Sequence, residues 1–433
     1  MIKYIYLDLE TTVNGGPDGD SPEAHWFDNE VLLSGHVCDA SPNVITKRNI
    51  GALIYTIASS IDSGNQIVLV AHNAKFDIKY LMRTAPTIPW QEVSVWDTMT
   101  WEYINSGFVD KYKSLEDTAK AHGITFKKSL DLDDLLKRGI KMEDIDEDEL
   151  TEYLKGDVEV LREVHKKQLA IATYWMDYTL PLAEMELNGL PIDKKALENN
   201  QRYADSIMDG LFNKMCSYIK SNYEWQDGSE IKDEDFIKDL GTKVKTIKPF
   251  ANRTISTILF GDPVPLRVGG KWELVTKTNQ PWVPYPDPSV EPTHLGYPVD
   301  EKVLEQINHK VATWALEYRH WAKLNGTYYT PFLSKLNSNT TGSVHPKLNT
   351  TATGTGRLSS SDPNGQNMPQ EARELVQAQE WYKIEELDFS QLEMVGAAAL
   401  SGCTKLQDDI RNGLDIHQQT AAAVFGEDKA EEM

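Results

Sequence analysis

Asp8 and Glu10 stand two residues apart at the end of an aliphatic and aromatic stretch, residues 4–9. Side chains alternate along a strand, so both carboxylates fall on one face near its end. Like charges placed together call for a cation. A D-x-E pair taken alone is more often a solvated strand end than a site, so further acids must come from elsewhere, and two places supply them. The strand-like IVLVAH runs into Asn73, and the residues after it put Asp77 on the first turn of a helix, where a carboxylate also suits the helix dipole. In YLKGD, Tyr153 and Asp157 are four apart within a strongly helical stretch and share a face. The acidic run around them (Glu143, Asp144, Asp146, Glu147, Asp148, Glu149 and Glu152) reads as solvated surface. Asp157, the acid paired with a tyrosine, reads as chemical.

Taken in order, DLET, HNAKFD and YLKGD resemble the three motifs of the proofreading 3′–5′ exonucleases of ribonuclease-H-like fold, the DEDD class in its tyrosine variant. SLEDTAKAHGI, residues 114–124, is similar to the helix such enzymes carry between the second and third motifs. The resemblance implies a pair of Mg2+ ions, with Mn2+ as a substitute. Two divalent ions about 4 Å apart can activate a water, stabilise the charge at phosphorus and support the leaving 3′ oxygen, and each needs hard oxygen ligands. On this reading Asp8 bridges the ions and Glu10, Asp77 and Asp157 complete the shell. Tyr153 orients the attacking water, and Asn73 and Phe76 contact the terminal nucleotide. With a reference pKa near 10, the phenol positions a water better than it removes a proton. Asp97, in VWDTM, reads either as a carboxylate supporting the site or as an ordinary strand-end acid.

Residues 353–369, TGTGRLSSSDPNGQNMP, are too rich in small and polar side chains to be core. Arg357, Asn364, Gln366 and Asn367 suit hydrogen bonding in a DNA minor groove, where acceptors are what base pairs share. Further on, IEELDFSQLEMVGAAALSG predicts an apolar strand ending in Asp388 and then a helix whose face starts at Glu393. DIHQQTAAAVFG puts His417 on a helix preceded by Asp415. Together these resemble the palm of family A DNA polymerases, the polymerase I type. LPLAEMELNGLPID, from Leu180, and RHWAKLNGTYY, from Arg319, are similar to the entry to the family's thumb and the end of its thumb helix. The resemblance implies Asp388 as a ligand to both polymerase metals, assisted by the Phe389 carbonyl. Glu393 would sit under the incoming sugar, Arg357 and Gln366 against the primer-terminal minor groove, and His417 near the nucleotide phosphates. Phe389 stands where the family has tyrosine, which keeps the ring and loses a hydroxyl.

The family's fingers motif, R-x-x-x-K-x-x-x-F-G-x-x-Y-G, and its second palm aspartate, in H-D-E, do not occur in these 433 residues. Nucleotidyl transfer by two metals needs a second palm carboxylate and a cation beside the phosphates. The expectation is therefore the front portion of a bacteriophage-like replicative polymerase, split or truncated, with a second polypeptide carrying the rest of fingers and palm. Its partners would be primer–template DNA, a single-stranded 3′ end and deoxynucleotides, with a processivity factor as a further candidate. A stand-alone 3′–5′ exonuclease and an inert truncated product are the alternatives.

Length and patterning set the elements that must position these residues. A chain of 433 residues exceeds one hydrophobic core. Residues 1–175 alternate strand-like and helix-like stretches, giving an α/β domain with strands at 2–9 and 66–71 and helices at 74–82, 114–122 and 146–174. Residues 176–345 read as a mostly helical thumb, with helices at 182–188, 194–220 and 299–325. A Pro-rich insertion near 262–298 interrupts it, with six prolines between 281 and 298. Residues 346–433 read as the beginning of an α+β palm.

Composition excludes other classes. Hydrophobic residues at 40% and charged residues at 25% are an ordinary globular mixture, and no run is long and apolar enough to span a membrane. The start, MIKYIYLDLETT, reads as a strand and not as a secretion signal, pointing to the cytoplasm. Cys38, Cys216 and Cys403 are far apart, which excludes a disulfide scaffold and suggests reduced core residues. Net charge is −22, against nucleic acid as partner at face value. Its distribution changes that: residues 1–170 hold 29 acidic against 18 basic residues, whereas 301–360 hold seven basic against three acidic, a positive strip that could grip a backbone.

Overall fold

The computed structural model describes residues 1–433 except 40, 42, 126–128, 169–172, 226–227, 237–246, 262–265, 269–271, 277–281, 294–295 and 427–433. The first strand, β1 (Ile2–Thr11), divides its residues by parity. Ile5, Leu7 and Leu9 face one core, and Tyr4 and Tyr6 face another. β2 (Val31–Cys38), β3 (Ile45–Arg48), β4 (Gln66–Ala71) and β5 (Val93–Asp97) complete a sheet of order β3-β2-β1-β4-β5. β1 runs parallel to β4, and β4 to β5, while β2 is antiparallel to both its neighbours. α1 (Gly51–Asp62) and α2 (Lys75–Thr84) cover the odd face through Leu53, Ile57, Ile78 and Leu81. α3 (Thr98–Asn105), α4 (Leu115–Ala121) and α5 (Leu132–Lys137) follow, and α6 (Glu147–Lys167) covers the even face, where Val158 and Leu161 meet Tyr6, Val37 and Val70.

α7 (Thr179–Asn188) leads through β6 (Leu190–Pro191) into the 29-residue α8 (Lys194–Asn222), whose buried face is Leu197, Ala204, Leu211, Met215 and Ile219, the spacing of a helix buried on one side. β7 (Tyr223–Trp225), α9 (Asn252–Phe260), β8 (Leu266–Val268) and β9 (Trp272–Thr276) come next, with the three strands in the order β7-β9-β8. α10 (Glu301–Glu305), α11 (Lys310–Leu324), a π-helical turn over Asn325–Tyr329 and α12 (Thr330–Ser338) build the rest of this region. β10 (Ser343–Val344) pairs with β6, and β11 (Lys347–Asn349) pairs with β12 (Ser359–Ser361) ahead of α13 (Gln370–Arg373). Residues 1–377 form one compact unit and 378–433 a second, which contains α14 (Leu392–Ser401), α15 (Thr404–Arg411) and α16 (Ile416–Phe425). Residues 346–377, grouped with the palm by sequence, thus lie in the first unit.

Several expectations are corrected. The helix expected to reach residue 174 ends at Lys167, where Gln168 turns extended and its amide bonds Trp96 Nε1 at 2.9 Å and the Thr98 carbonyl at 3.1 Å. The helix expected over 299–325 is two, because His309 is extended and its Nδ1 caps α11 by accepting from Val311 N–H. Residues 384–388 form no strand: a single strand has no ladder partner for its backbone, and among the described residues none is offered. Cys216 is buried, but Cys38 is half-buried and Cys403 exposed. β7–β9 give the mostly helical region a small sheet that the sequence did not announce. The insertion expected near 262–298 holds β8 and β9, its stretch from 282 to 293 has no helix or strand, and 262–265, 269–271, 277–281 and 294–295 lie outside the described residues. No helix among the described residues is long and apolar enough to cross a membrane.

Candidate active site

Asp8 and Glu10 lie on the even face of β1, the face that α6 covers. Asp8 is opposite Gly35 of β2, and Glu10 opposite Leu33. A Cβ at Gly35 would stand 2.9 Å from Leu154 Cγ and 3.1 Å from Val158 Cγ2. Glycine therefore lets α6 settle directly on β2 beside Asp8, with Leu33 and Val37 packed on either side. α6 in turn buries Tyr153 and Asp157, which its pitch places on one face, while the seven residues of the acidic run are all exposed. The third contributor is α2. Asp97 stands at the end of β5 and accepts from Asn73 N–H (3.0 Å) and Ala74 N–H (3.1 Å), as well as from Met99 (2.9 Å) and Thr100 (3.3 Å) to cap α3. The turn after β4 is thereby fixed, and Asp77 enters on the first turn of α2, almost fully buried. Asp97 thus acts as a clamp on backbone, the fuller form of the ordinary strand-end reading.

The four acids share a neighbourhood. Burial, with Asp157 beside it, pushes Asp8 up to about 8. Burial raises Glu10 well above the usual range, with Asp8, Asp157 and Asp77 adding to it, and burial with Asp8 does the same to Asp77. The Tyr153 phenol is driven far above its ordinary value by burial and by Asp157, Glu10 and Asp8, so it stays protonated and donates. Asp77 Oδ1 is buried with no hydrogen-bond partner, and among the described residues no Lys or Arg pairs with Asp8, Glu10 or Asp77. Among the described residues no three acidic, histidine or cysteine side chains already enclose one point at ligand distance. The side chains would have to draw together by small movements around a cation. Hard carboxylate oxygens, an orphaned one among them, fit divalent ions of the Mg2+ type.

This arrangement has a consequence for stability. Carboxylates raised in the folded state bind protons there that the unfolded chain has already lost, so the metal-free protein must lose stability as pH rises from the unfolded value near 4 toward about 8. The expected result is a melting temperature, in the presence of chelator, that falls from pH 5 to pH 8 more steeply for the wild type than for Asp8→Asn. Millimolar Mg2+ should remove that difference, whereas equal slopes in chelator would contradict it.

A cleft of about 360 Å³ is lined by Asn73, Phe76, Lys75, Tyr112, Lys347 and Asn349 among others, and by none of the four acids. The two residues expected to touch a terminal nucleotide thus lie on one wall: Asn73 is exposed with φ of 59°, and Phe76 is half-buried with its ring edge-on to Tyr80. Arg357, Gln366 and Asn367 are exposed on the loops around β12. Asn364 turns its side-chain oxygen onto its own loop, accepting from Gln366 N–H (3.1 Å) and Asn367 N–H (3.2 Å), which leaves its amide nitrogen for any groove contact. In the second unit Asp388 and Phe389 are exposed in irregular chain, Glu393 is on the first turn of α14, and His417 is on the first turn of α16, which Asp415 caps. Gly35 escaped the sequence reading, whereas Asp97 was named there with a supporting role as one of its two readings. An isolated glycine inside VLLSGHV was the available signal for the first.

The chain thus joins an α/β layer, with acids at the carboxyl ends of its parallel strands, to a region of helices and a hairpin that carries Arg357. Residues 283–433 match the family described as DNA polymerase family A. The chain is similar to the thermostable DNA polymerase I of Thermus filiformis, 44% identical over 128 residues, which is 28% of this chain and 15% of that protein. It is also similar to DNA polymerase I of Chloroflexus aurantiacus, 26% identical over 383 residues, which is 82% of this chain and 35% of that protein. In fold it resembles the POL domain of Pol1 from M. smegmatis, solved in complex with DNA primer-template and dNTP. The TM-score is 0.61 and the identity 18%, covering 98% of this chain and 64% of that one. The chain thus spans about a third or less of the length of these two curated relatives.

Proposed function

We propose that residues 1–175 are a 3′–5′ exonuclease of ribonuclease-H-like fold that removes nucleotides from a single-stranded DNA 3′ end, joined to the thumb and first palm segment of a family A DNA polymerase. The observation that carries the exonuclease reading is the placement of Asp8 and Glu10 on the face of β1 that α6 covers, with Tyr153 and Asp157 buried on α6 and Asp77, its Oδ1 without a partner, buried on the first turn of α2. Asp8, Glu10, Asp77 and Asp157 would hold two divalent ions, with Asp8 shared. When bound, those ions supply Lewis-acid activation of water and neutralise charge at the phosphate. Tyr153 donates a hydrogen bond that holds the attacking water in line, and its raised pKa argues against proton removal by the phenol. Asn73 and Phe76 hold the terminal nucleotide.

For synthesis, Asp388 and the Phe389 carbonyl would serve as metal ligands, Glu393 would exclude a 2′-hydroxyl, His417 would meet the nucleotide phosphates, and Arg357 and Gln366 would read the primer-terminal minor groove. The family match over 283–433 supports these assignments. The second palm carboxylate and the fingers cation would come from residues outside these 433. The second unit leaves Leu387, Phe389 and Leu400 more than three-quarters exposed, apolar surface that suits burial against such residues.

The test is hydrolysis of a labelled single-stranded oligonucleotide by this chain. Mononucleotides should leave one by one from the 3′ end in Mg2+ and not in chelator. Absence of release in Mg2+, or cutting at internal bonds, would overturn the reading.

A further inference from the structure

Glu186 of α7 is buried, and both of its oxygens are in use. Oε1 accepts from Lys75 Nζ and from the backbone N–H of Leu348 (2.6 Å), and Oε2 accepts from Lys79 Nζ (2.7 Å). Lys75 and Lys79 are on α2, the helix that carries Asp77, whereas Leu348 is in the middle of β11. The lysines extend the junction on both sides. Lys75 also donates to the Leu348 carbonyl, and Glu23 pairs with Lys79 and with Lys347 at 3.0 Å. Burial works against the charge on Glu23, yet the two ammonium groups hold it down to about 2. Burial likewise opposes the charge on Lys79, and the Glu23 and Glu186 carboxylates outweigh it.

β11 is one strand of the hairpin whose connecting loop carries Arg357. That loop is held at a second point. Tyr103 Oη, on α3 directly after the Asp97 clamp, donates to the Thr353 carbonyl at 2.7 Å, and Thr353 Oγ1 donates to the Arg357 carbonyl at 2.8 Å. Gly356 lies against Phe108 and Trp175, where a Cβ would stand 3.1 and 3.0 Å from their rings. The hairpin is therefore tied to α2, which carries Asp77, and to α3, which begins at the end of β5.

We infer that Glu186 and Tyr103 are positioning residues that lock the Arg357 hairpin to the carboxylate site, so that a primer end released from the hairpin reaches the acids from a fixed distance. This rests on the exonuclease reading above. A duplex end held at the hairpin presents its frayed strand to Asp77 at an effective concentration set by that distance, and loosening the junction lowers it. A free single strand reaches the acids without docking at the loop that carries Arg357, so its rate does not depend on how that loop is anchored. A merely structural role would instead lower both rates together.

The experiment compares 3′ hydrolysis of a primer–template with a mismatched end and of a free single-stranded oligonucleotide, in Mg2+, by the full chain and by Glu186→Gln and Tyr103→Phe. Tyr103→Phe removes one oxygen and keeps the ring in its core, so it serves should the buried charge change disturb folding. The expected result is a primer–template rate that falls about fivefold relative to the single-strand rate in either variant, within the range for groups coupled in one hydrogen-bond network. An unchanged ratio in folded Tyr103→Phe would overturn the inference and leave the exonuclease reading standing. No hydrolysis of either substrate by the wild type would instead sink the reading beneath it.

Discussion

Replacing both Asp8 and Glu10 by alanine should lower single-strand hydrolysis by about 10³-fold or more while leaving the fold intact or better melted against heat. The first half follows from removing hard ligands aimed at one place: a single preorganised group stabilising transition-state charge is worth about 10²–10³ in rate, and here two go at once. The second half follows from the electrostatics. Asp8 and Glu10 are held near Asp77 and Asp157 against their own repulsion, and each is raised chiefly by burial. Without metal the charges cost stability, so their removal should raise the melting temperature at pH 8 in chelator. Loss of activity together with gain of stability separates a site from a scaffold, and activity loss through unfolding would show the opposite sign. Single-turnover hydrolysis and thermal melting of the same preparation check both halves.

Gly35→Val is the second large effect, and it touches none of the acids. The Cβ alone would lie 2.9 Å from Leu154, and valine adds two methyl groups against Val158 and Leu154 on a helix already buried there. Overpacking of this kind costs about 1–3 kcal/mol. The strand is held by its ladder to β1 at Asp8 and to β3 at Thr46, so the helix is what must yield. A lift of α6 carries Tyr153 and Asp157 away from Asp8. A displacement of about 1 Å of groups that must meet a reacting atom can cost about 10²-fold. Hydrolysis should fall by about that factor, with a higher Mg2+ concentration needed for half-maximal rate, and Gly35→Ala should fall between valine and wild type. A valine variant as active as wild type at low Mg2+ would show that α6 does not set the site.

How much of this was legible in the chain follows from which forces are local. The strand at 66–71 is found as read because its aliphatic run is buried on both faces in the middle of the sheet. The capped helix at Ser114 is found because its side chain accepts from Asp117 N–H, three residues on. The Tyr153 and Asp157 pair follows from helical pitch. β2 and β3 were not read, and Gly35 with them, because β2 pairs with β1 from 20 residues away or more and β3 has only β2 to pair with. Glu186 carried no local mark at all, since its partners, Lys75, Lys79 and Leu348, are brought together only by tertiary packing. Residues 384–387 were read as an apolar strand although Glu385 and Glu386 stand between Ile384 and Leu387, and they form no strand, since two apolar residues without a neighbouring strand do not make one.

Crystals soaked in Mn2+ and measured at the manganese absorption edge test the central claim most directly. Two anomalous peaks are expected within ligand reach of the Asp8, Glu10, Asp77 and Asp157 carboxylates, with Asp8 touching both and neither present in the Asp8→Ala, Glu10→Ala protein. Peaks elsewhere, or no ordered manganese at those four side chains, would contradict it.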